Sequence, residues 1–191
     1  MTVEIVNTDA EGRLLLADTL TLASRHTSST TNINRGLDDS LSPKLVLDFA
    51  TLTGTCITSL SNRYIGAFTN RPNLISSIIT SNDISGERIW PFPVDDDYDD
   101  DLKSDIADIL QCKVSTEADH IYAAAFLKKF VNPRYHHHQQ HYYLIILTII
   151  STPWIHLDLG SAYKPGGLGH VSSDYTGVGV RAGFALIQLI C

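Results

Sequence analysis

Two carboxylates and a guanidinium stand at alternate positions in NTDAEGRLLLAD, residues 7–18 of the sequence. The oxygen atoms of Asp9 and Glu11 are of the kind that divalent cations bind, and Arg13 offers a planar group suited to a carboxylate or carbonate. One Asp-x-Glu supplies too few ligands for a closed metal site, but it would supply part of a two-metal site that activates water. The alternative is structural: acidic residues often precede a helix because they cap it and interact favourably with its dipole, and Arg13 would then pair with Glu11 or Asp18.

Strands alternate with helices along the chain, which predicts an α/β domain of three layers, αβα, with a central mixed, mostly parallel sheet. The motif lies between a strand and a helix, where the functional sites of α/β sheets gather. Apolar patterning predicts strands at Thr2–Val6, Lys44–Ala50, Tyr64–Phe68 and Trp154–Leu159. It predicts helices at Arg13–His26, from TLTGT through Leu60, and at Asn73–Ile84, Glu117–Val131 and Thr176–Ile190.

Composition excludes several classes of protein. The formal net charge of −7 argues against a nucleic-acid groove, which would be rich in Lys and Arg. Three scattered cysteines without a CxxC are typical of free thiols in a reducing compartment. The first residues lack the features of a signal peptide, and the most apolar run, Tyr142–Ile150, is far shorter than the roughly 20 residues of a spanning helix. We therefore expect a cytoplasmic protein that binds neither nucleic acid nor membrane.

Two segments of biased composition are interpreted as structural. The acidic run Asp95–Asp101 is a solvated turn at a helix start, because it lacks the Gly and distal Glu of a calcium loop. The segment 135–150 contains a histidine cluster, but adjacent histidines seldom converge on one ion and no acidic residue or Cys accompanies them. We predict that Tyr135–Gln140 is poorly ordered and takes no part in catalysis. The clustered histidines are His136, His137, His138 and His141.

The motif closely resembles the strongest motif of the leucyl aminopeptidase (cytosol aminopeptidase) family, exopeptidases with two zinc or manganese ions. NTDAEGR followed by LLLADTL is the most specific match. Further blocks follow in the family's order: VLDFATLTGT, SGERIWPFPV, SDIAD, AAAFLKKFV, WIHLDL and TGVGVR. The resemblance covers most of Thr2–Arg181 and fails over 28–42 and 132–152, which are insertion-like.

The resemblance implies roles for individual residues. Asp9 is similar to the family's metal-binding aspartate, Glu11 to the glutamate that bridges the two ions, and Arg13 to the catalytic arginine that holds a bicarbonate ion. A second set resembles segments that bind the substrate and shape its pocket: Thr51, Leu52, Thr53 and Gly54, with Thr176 and Gly177. Tyr175 stands where the family usually has a smaller residue. Asp48, His156 and Asp158 are interpreted as hydrogen-bonded residues of the sheet.

The resemblance also implies ligands that this sequence does not show, a lysine and two aspartates that precede NTDAEGR in the family, together with a second catalytic lysine. We therefore expect residues 1–191 to be the C-terminal part of a catalytic domain, with a strand at Thr2–Val6 that lacks its neighbours, and to be inactive alone. The expected reaction is attack of metal-activated water on the first peptide bond of a peptide with a free N-terminus. The family's usual hexamer implies a homo-oligomer.

Two other hypotheses remain open. The first is a non-catalytic family member that keeps the fold and acts as a subunit or scaffold. The second is a carboxylate–metal phosphoesterase, which the ATLTG and TGVGVR blocks disfavour. Hydrolysis of an aminoacyl anilide versus a phenyl phosphate would separate the peptidase from the phosphoesterase.

Overall fold

The computed structural model describes residues 1–24, 43–113, 117–131 and 152–191 of the chain. The insertion-like segment 28–42, all of 132–152 except Thr152, and the histidine cluster lie outside the described residues. The predictions made for them stay predictions.

Strands and helices alternate through the described residues. The strands are β1 (Val3–Glu4), β2 (Val46–Ala50), β3 (Ile65–Thr69), β4 (Ile89–Pro91), β5 (Ile109–Leu110) and β6 (Trp154–Asp158). The helices are α1 (Glu11–Ala23), α2 (Gly54–Leu60), α3 (Ile75–Ser85), α4 (Asp119–Lys128) and α5 (Val180–Ile190).

The larger sheet has the strand order β2-β6-β3-β4. Strands β2 and β6 are parallel, as are β3 and β4, whereas β3 and β6 are antiparallel. Strand β1 pairs instead with β5 in a separate two-stranded parallel sheet. The strand near the N-terminus therefore has a neighbour that the sequence pattern did not reveal, since β5 is only two residues long.

Alternate residues of the central strands enter two separate hydrophobic cores, one on each face of the sheet. Trp154 and Phe68 pack with α1 and α4 on one face. Ile155 and Ala67, their sequence neighbours, pack with α3 and α5 on the other. Because side chains point to opposite faces at successive strand positions, one strand supports both helical layers. The predicted α/β fold with helices on both sides of a mixed sheet is confirmed.

Helices α4 and α5 begin later than their apolar patterns predicted. Helix α5 begins at Val180 because Gly177 and Gly179 have φ angles of +63° and +96°, which no helix permits. Helix α4 begins at Asp119, after Ala118 with a φ of +52°. The residues between the predicted and observed helix starts form loops beside the sheet.

The acidic run folds as a short 3-10 helix, Asp96–Leu102, that packs near α4. Asp96 pairs with Lys128 at 2.8 Å and Asp99 pairs with Lys129. The Lys128 ammonium, which donates a hydrogen bond to Asp96, lowers the pKa of that carboxyl. The acidic run therefore forms ion pairs with the basic C-terminal end of α4.

Among the described residues, no helix has the length and apolarity to cross a membrane.

Candidate functional site

The NTDAEGR motif forms a tight entry into α1. Asn7 caps a 3-10 turn, Thr8–Ala10, by accepting a hydrogen bond from the Asp9 amide at 2.9 Å. The turn runs directly into α1, whose first residue is Glu11. Polar residues at these positions satisfy amides that a helix start leaves without partners. The backbone at Asp9 is therefore fixed by a local hydrogen bond.

The carboxylates of Asp9 and Glu11 are exposed at this entry. Neither has a hydrogen-bond or ion-pair partner within the described residues. Their oxygen atoms are thus free to bind a cation from solution, and oxygen donors suit manganese, magnesium and zinc. The two carboxylates therefore fit as some of the ligands of a metal site.

The side chain of Gln111 hydrogen-bonds to the backbone on both sides of Asp9. This fully buried side chain accepts hydrogen bonds from the Val6 and Asn7 amides at 3.3 and 3.1 Å and donates one to the Ala10 carbonyl at 2.9 Å. The backbone amide of Gln111 donates to the Glu4 carbonyl at 2.9 Å. One side chain therefore fixes both ends of the turn that presents Asp9.

Arg13 points into the protein and is 3% exposed. Its Nη2 donates to both carboxylate oxygens of Asp119, at 2.9 and 2.7 Å. Its Nη1 donates to the Gln111 carbonyl at 3.3 Å, and its buried Nε has no partner in the described part of the chain. Residues two apart on a helix leave it in nearly opposite directions, which explains why Glu11 is exposed while Arg13 is buried.

The loop after β2 presents Thr51, Leu52, Thr53 and Gly54. Asp158, at the end of β6, accepts hydrogen bonds from the Leu52 amide at 2.9 Å and the Thr53 hydroxyl at 2.6 Å. Asp158 is 1% exposed, so a buried carboxylate shapes this loop. Thr53 also caps α2, because its Oγ1 accepts from the Cys56 amide at 3.4 Å.

This loop lies against the motif. A Cβ built on Gly12 would stand 3.3 Å from Cδ1 of Leu52. Gly12 follows Glu11 directly, so the start of α1 and the loop after β2 meet at this contact. The structure thus brings the predicted metal-binding segment and one predicted substrate-binding segment together.

Helices α2 and α4 contact each other through Thr55 and His120. Thr55 Oγ1 accepts a hydrogen bond from the His120 amide at 2.9 Å and lies 3.1 Å from His120 Nδ1. Burial lowers the pKa of His120, although Asp158 and Asp119 act in the opposite direction. Burial, reinforced by Asp158, raises the pKa of the Cys56 thiol to about 12. Cys56 is therefore a protonated core residue at neutral pH and not a nucleophile.

The second predicted substrate-binding segment sits on the chain that follows β6. Thr176 Oγ1 donates to the Ser161 carbonyl at 2.7 Å, and the Thr176 amide donates to the Ala162 carbonyl at 3.1 Å. Gly177 adopts the left-handed region that favours glycine. Tyr175 is 76% exposed and packs edge-on against Tyr163. Thr176 and Gly177 are thus anchored to the segment that continues from Asp158.

Asp48 and His156 form a hydrogen-bonded group in the sheet. Asp48 Oδ1 lies 2.6 Å from His156 Nδ1, and its Oδ2 accepts from Trp154 Nε1 at 2.7 Å. The prediction that Asp48, His156 and Asp158 are hydrogen-bonded residues of the sheet is confirmed. No group of three or more His, Cys, Asp or Glu side chains able to hold a metal ion occurs within residues 1–24, 43–113, 117–131 and 152–191.

Sequence reasoning missed Gln111 and Asp119. Both contact the motif across about a hundred residues of chain, and neither stands in a recognisable pattern. The only local signal was negative charge at the start of a predicted helix, which has an ordinary explanation for Asp119.

A family model described as cytosol aminopeptidase family, catalytic domain, matches residues 1–183. Two similar relatives are both named probable cytosol aminopeptidase. The protein from Syntrophotalea carbinolica is 37% identical over 188 residues, covering 98% of this chain and 31% of the relative. The protein from Chlorobaculum tepidum is 37% identical over 182 residues, covering 95% of this chain and 30% of the relative. The chain spans about a third of the length of the curated relatives it matches.

Solved structures with the same fold include the bottromycin maturation enzyme BotP. The structure described as a complex with Mn superposes with a TM-score of 0.74 at 30% sequence identity, covering 98% of this chain and 35% of that one. A second BotP structure gives a TM-score of 0.75 at the same identity and coverage.

Proposed function

The chain belongs to the cytosol aminopeptidase family, as its sequence motifs predicted, and from that premise we propose that it forms part of a metal-dependent aminopeptidase. The observation that supports this most directly is the pair of exposed, unpartnered carboxylates at the start of α1, Asp9 and Glu11, beside the loop after β2. Their oxygens face solvent and are therefore available to a cation. The proposed reaction releases N-terminal residues such as leucine from peptides.

Asp9 and Glu11 would hold metal ions, with Glu11 in the bridging role that the sequence resemblance implies. Bound there, two zinc or manganese ions would supply a Lewis acid and an activated water. The fit of oxygen donors to manganese agrees with the manganese named for BotP. Two carboxylates are too few for two dications, so the remaining ligands must come from residues outside this pair.

The loop after β2 would bind the peptide. Thr51–Gly54 follow the end of β2, where the backbone groups that Asp158 does not engage could hydrogen-bond to a substrate backbone, and Gly54 has no atom within 4 Å of where its Cβ would stand. Asp158 keeps that turn in place from inside the protein. Thr176 and Gly177 would line the pocket for the first side chain. We further propose a cytoplasmic location and assembly into a homo-oligomer.

The test is Glu11→Gln in the full-length protein, assayed with leucine anilide and added manganese or zinc. Loss of one preorganised charge at a reacting centre lowers turnover by about 10²–10³-fold, and removal of a bridging ligand should do at least as much. Exposed Glu117→Gln, the same change two residues before α4, is the control and should leave turnover unchanged. Retention of turnover in Glu11→Gln would refute the proposed metal role.

The same assay separates the other hypotheses. A full-length protein that binds manganese but hydrolyses neither the anilide nor a phenyl phosphate would be a non-catalytic member of the family. Turnover of the phenyl phosphate alone would identify a phosphoesterase. We expect residues 1–191 on their own to show little or no turnover, because Asp9 and Glu11 do not complete two metal shells.

A further inference from the structure

We propose that Asp119 is the resident anion of Arg13, so that the chain's own carboxylate occupies the position at which a small anion from solution would otherwise bind. The inference concerns the arginine to which the sequence resemblance assigns a catalytic role, and it rests on the proposed function only for its catalytic consequence. It starts from the burial of Arg13, which is 3% exposed and keeps its charge inside the protein.

A buried guanidinium requires a negative partner. An uncompensated charge in the interior is strongly unfavourable, whereas a charge-assisted hydrogen bond offsets part of the lost hydration. Asp119 supplies this partner, with both oxygens within 2.9 Å of Nη2. Its side chain is 26% exposed, so the pair lies at the boundary between the core and solvent. A small anion can therefore reach this position when the carboxylate is absent.

The hydrogen-bond pattern explains why the two anions exclude each other. Arginine binds a carboxylate or carbonate through one of two forks, Nη1 with Nη2 or Nε with Nη2. Nη2 belongs to both forks, and Asp119 already engages it. A second anion would have to share Nη2 and would place its charge beside the Asp119 carboxylate.

The arginine also retains unused donor capacity. Its Nε is buried and has no partner within the described residues. An unsatisfied buried donor is unfavourable by about 1–3 kcal/mol. An anion that replaced Asp119 could accept from Nε and Nη2 together, which the present arrangement does not do. Removal of the carboxylate therefore creates a site for bicarbonate, formate or acetate.

This arrangement differs from the bicarbonate-holding arginine that the sequence resemblance implied. Arg13 stands in the first turn of the motif helix, but its guanidinium points into the protein while Glu11 is exposed, and its Nη2 is bonded to Asp119. In the unmodified protein Arg13 therefore binds Asp119 and not bicarbonate. Asp119 acts as a positioning residue, which holds the Arg13 charge at the base of α1.

The test measures thermal unfolding of the full-length protein with increasing formate or bicarbonate, against sodium chloride at equal ionic strength. Asp119→Ala should have a lower melting temperature than the unmodified protein, and either anion should raise it saturably by about 2–4 °C. The unmodified protein and Glu117→Ala should show no shift beyond that of chloride. Glu117→Ala removes the same charge next to the start of the same helix.

Two results would overturn the proposal: an anion-specific shift of equal size in the unmodified protein, or none in Asp119→Ala. If Asp119→Ala does not fold, Asp119→Asn gives the same comparison, because the amide keeps an acceptor oxygen for Nη2 but removes the charge. Turnover provides a second readout, since bicarbonate should stimulate the variant and not the unmodified enzyme. The melting temperatures need no activity, so they remain decisive even if Glu11→Gln shows that the proposed function is wrong.

Discussion

The carboxylates at the start of α1 and those of Asp48 in β2 and Asp158 at the end of β6 have the same chemistry but opposite surroundings. Asp9 and Glu11 are exposed and have no partner among the described residues. Asp158 and Asp48 accept hydrogen bonds from Leu52, Thr53 and Trp154 in the sheet interior. A buried carboxylate whose oxygens are already engaged stabilises the fold, whereas an exposed and unengaged pair is available to a ligand.

The two regions also depend on each other. Asp158 shapes the loop after β2, and Leu52 of that loop contacts the start of α1 at Gly12. Gln111 holds the same start from the side of β5. The buried polar groups thus fix the backbone from which the exposed carboxylates project. Variants that separate stability from ligand binding test this division of roles.

Asp158→Ala should have the largest effect on stability. It removes the acceptor for the Leu52 amide and the Thr53 hydroxyl and leaves both donors unsatisfied in a buried place. Each unsatisfied buried group is unfavourable by about 1–3 kcal/mol, so we expect the free energy of unfolding in urea to fall by about 3 kcal/mol.

Asp158→Asn is the matched comparison, because its amide keeps one acceptor oxygen and should lose less stability. A loss below about 1 kcal/mol for Asp158→Ala would contradict the structural role of this carboxylate.

Gln111→Ala should have an intermediate effect. The side chain makes three hydrogen bonds to the backbone of residues 6–10, and its loss leaves the Asn7 amide and the Ala10 carbonyl without their partner. We expect the free energy of unfolding to fall by about 2 kcal/mol. Hydrogen exchange of the amides at residues 6–10 should also accelerate, since the turn opens more easily.

The control for Gln111 is Gln188→Ala on α5, where the side chain is exposed and alanine favours a helix. It should change the free energy of unfolding by no more than about 0.5 kcal/mol. Unchanged exchange at residues 6–10 in Gln111→Ala would show that local capping by Asn7 suffices to hold the turn.

Local patterns in the sequence predicted the helices and long strands because their apolar periodicity is strong. For α2 the sequence predicted a helix that follows the TLTGT segment through Leu60, and the structure gives Gly54–Leu60 with Thr53 as its cap. The short strands β4 and β5 were missed because two or three residues carry no periodicity.

Side-chain partners were harder to predict than elements. Motif chemistry identified Asp9, Glu11 and Arg13 as candidates, but it offered Glu11 or Asp18 as the structural partner of Arg13. The partner is Asp119, separated from Arg13 by 106 positions and brought to it by the packing of α1 on α4. Such a contact depends on tertiary structure, which no local pattern encodes.

The double variant Asp9→Asn with Glu11→Gln should have the smallest effect on stability. In buffer with a chelator, the two changes remove only the favourable interactions of two exposed charges with the start of α1, which salt screens. Neither oxygen pair is bonded within the described residues, so we expect the free energy of unfolding to change by about 0.5 kcal/mol or less.

Manganese should then stabilise the unmodified full-length protein and not the variant, because a ligand that binds only the folded state raises its stability. A loss as large as that of Asp158→Ala would instead mean that the pair caps the helix, and the contrast between the two groups of carboxylates would fail.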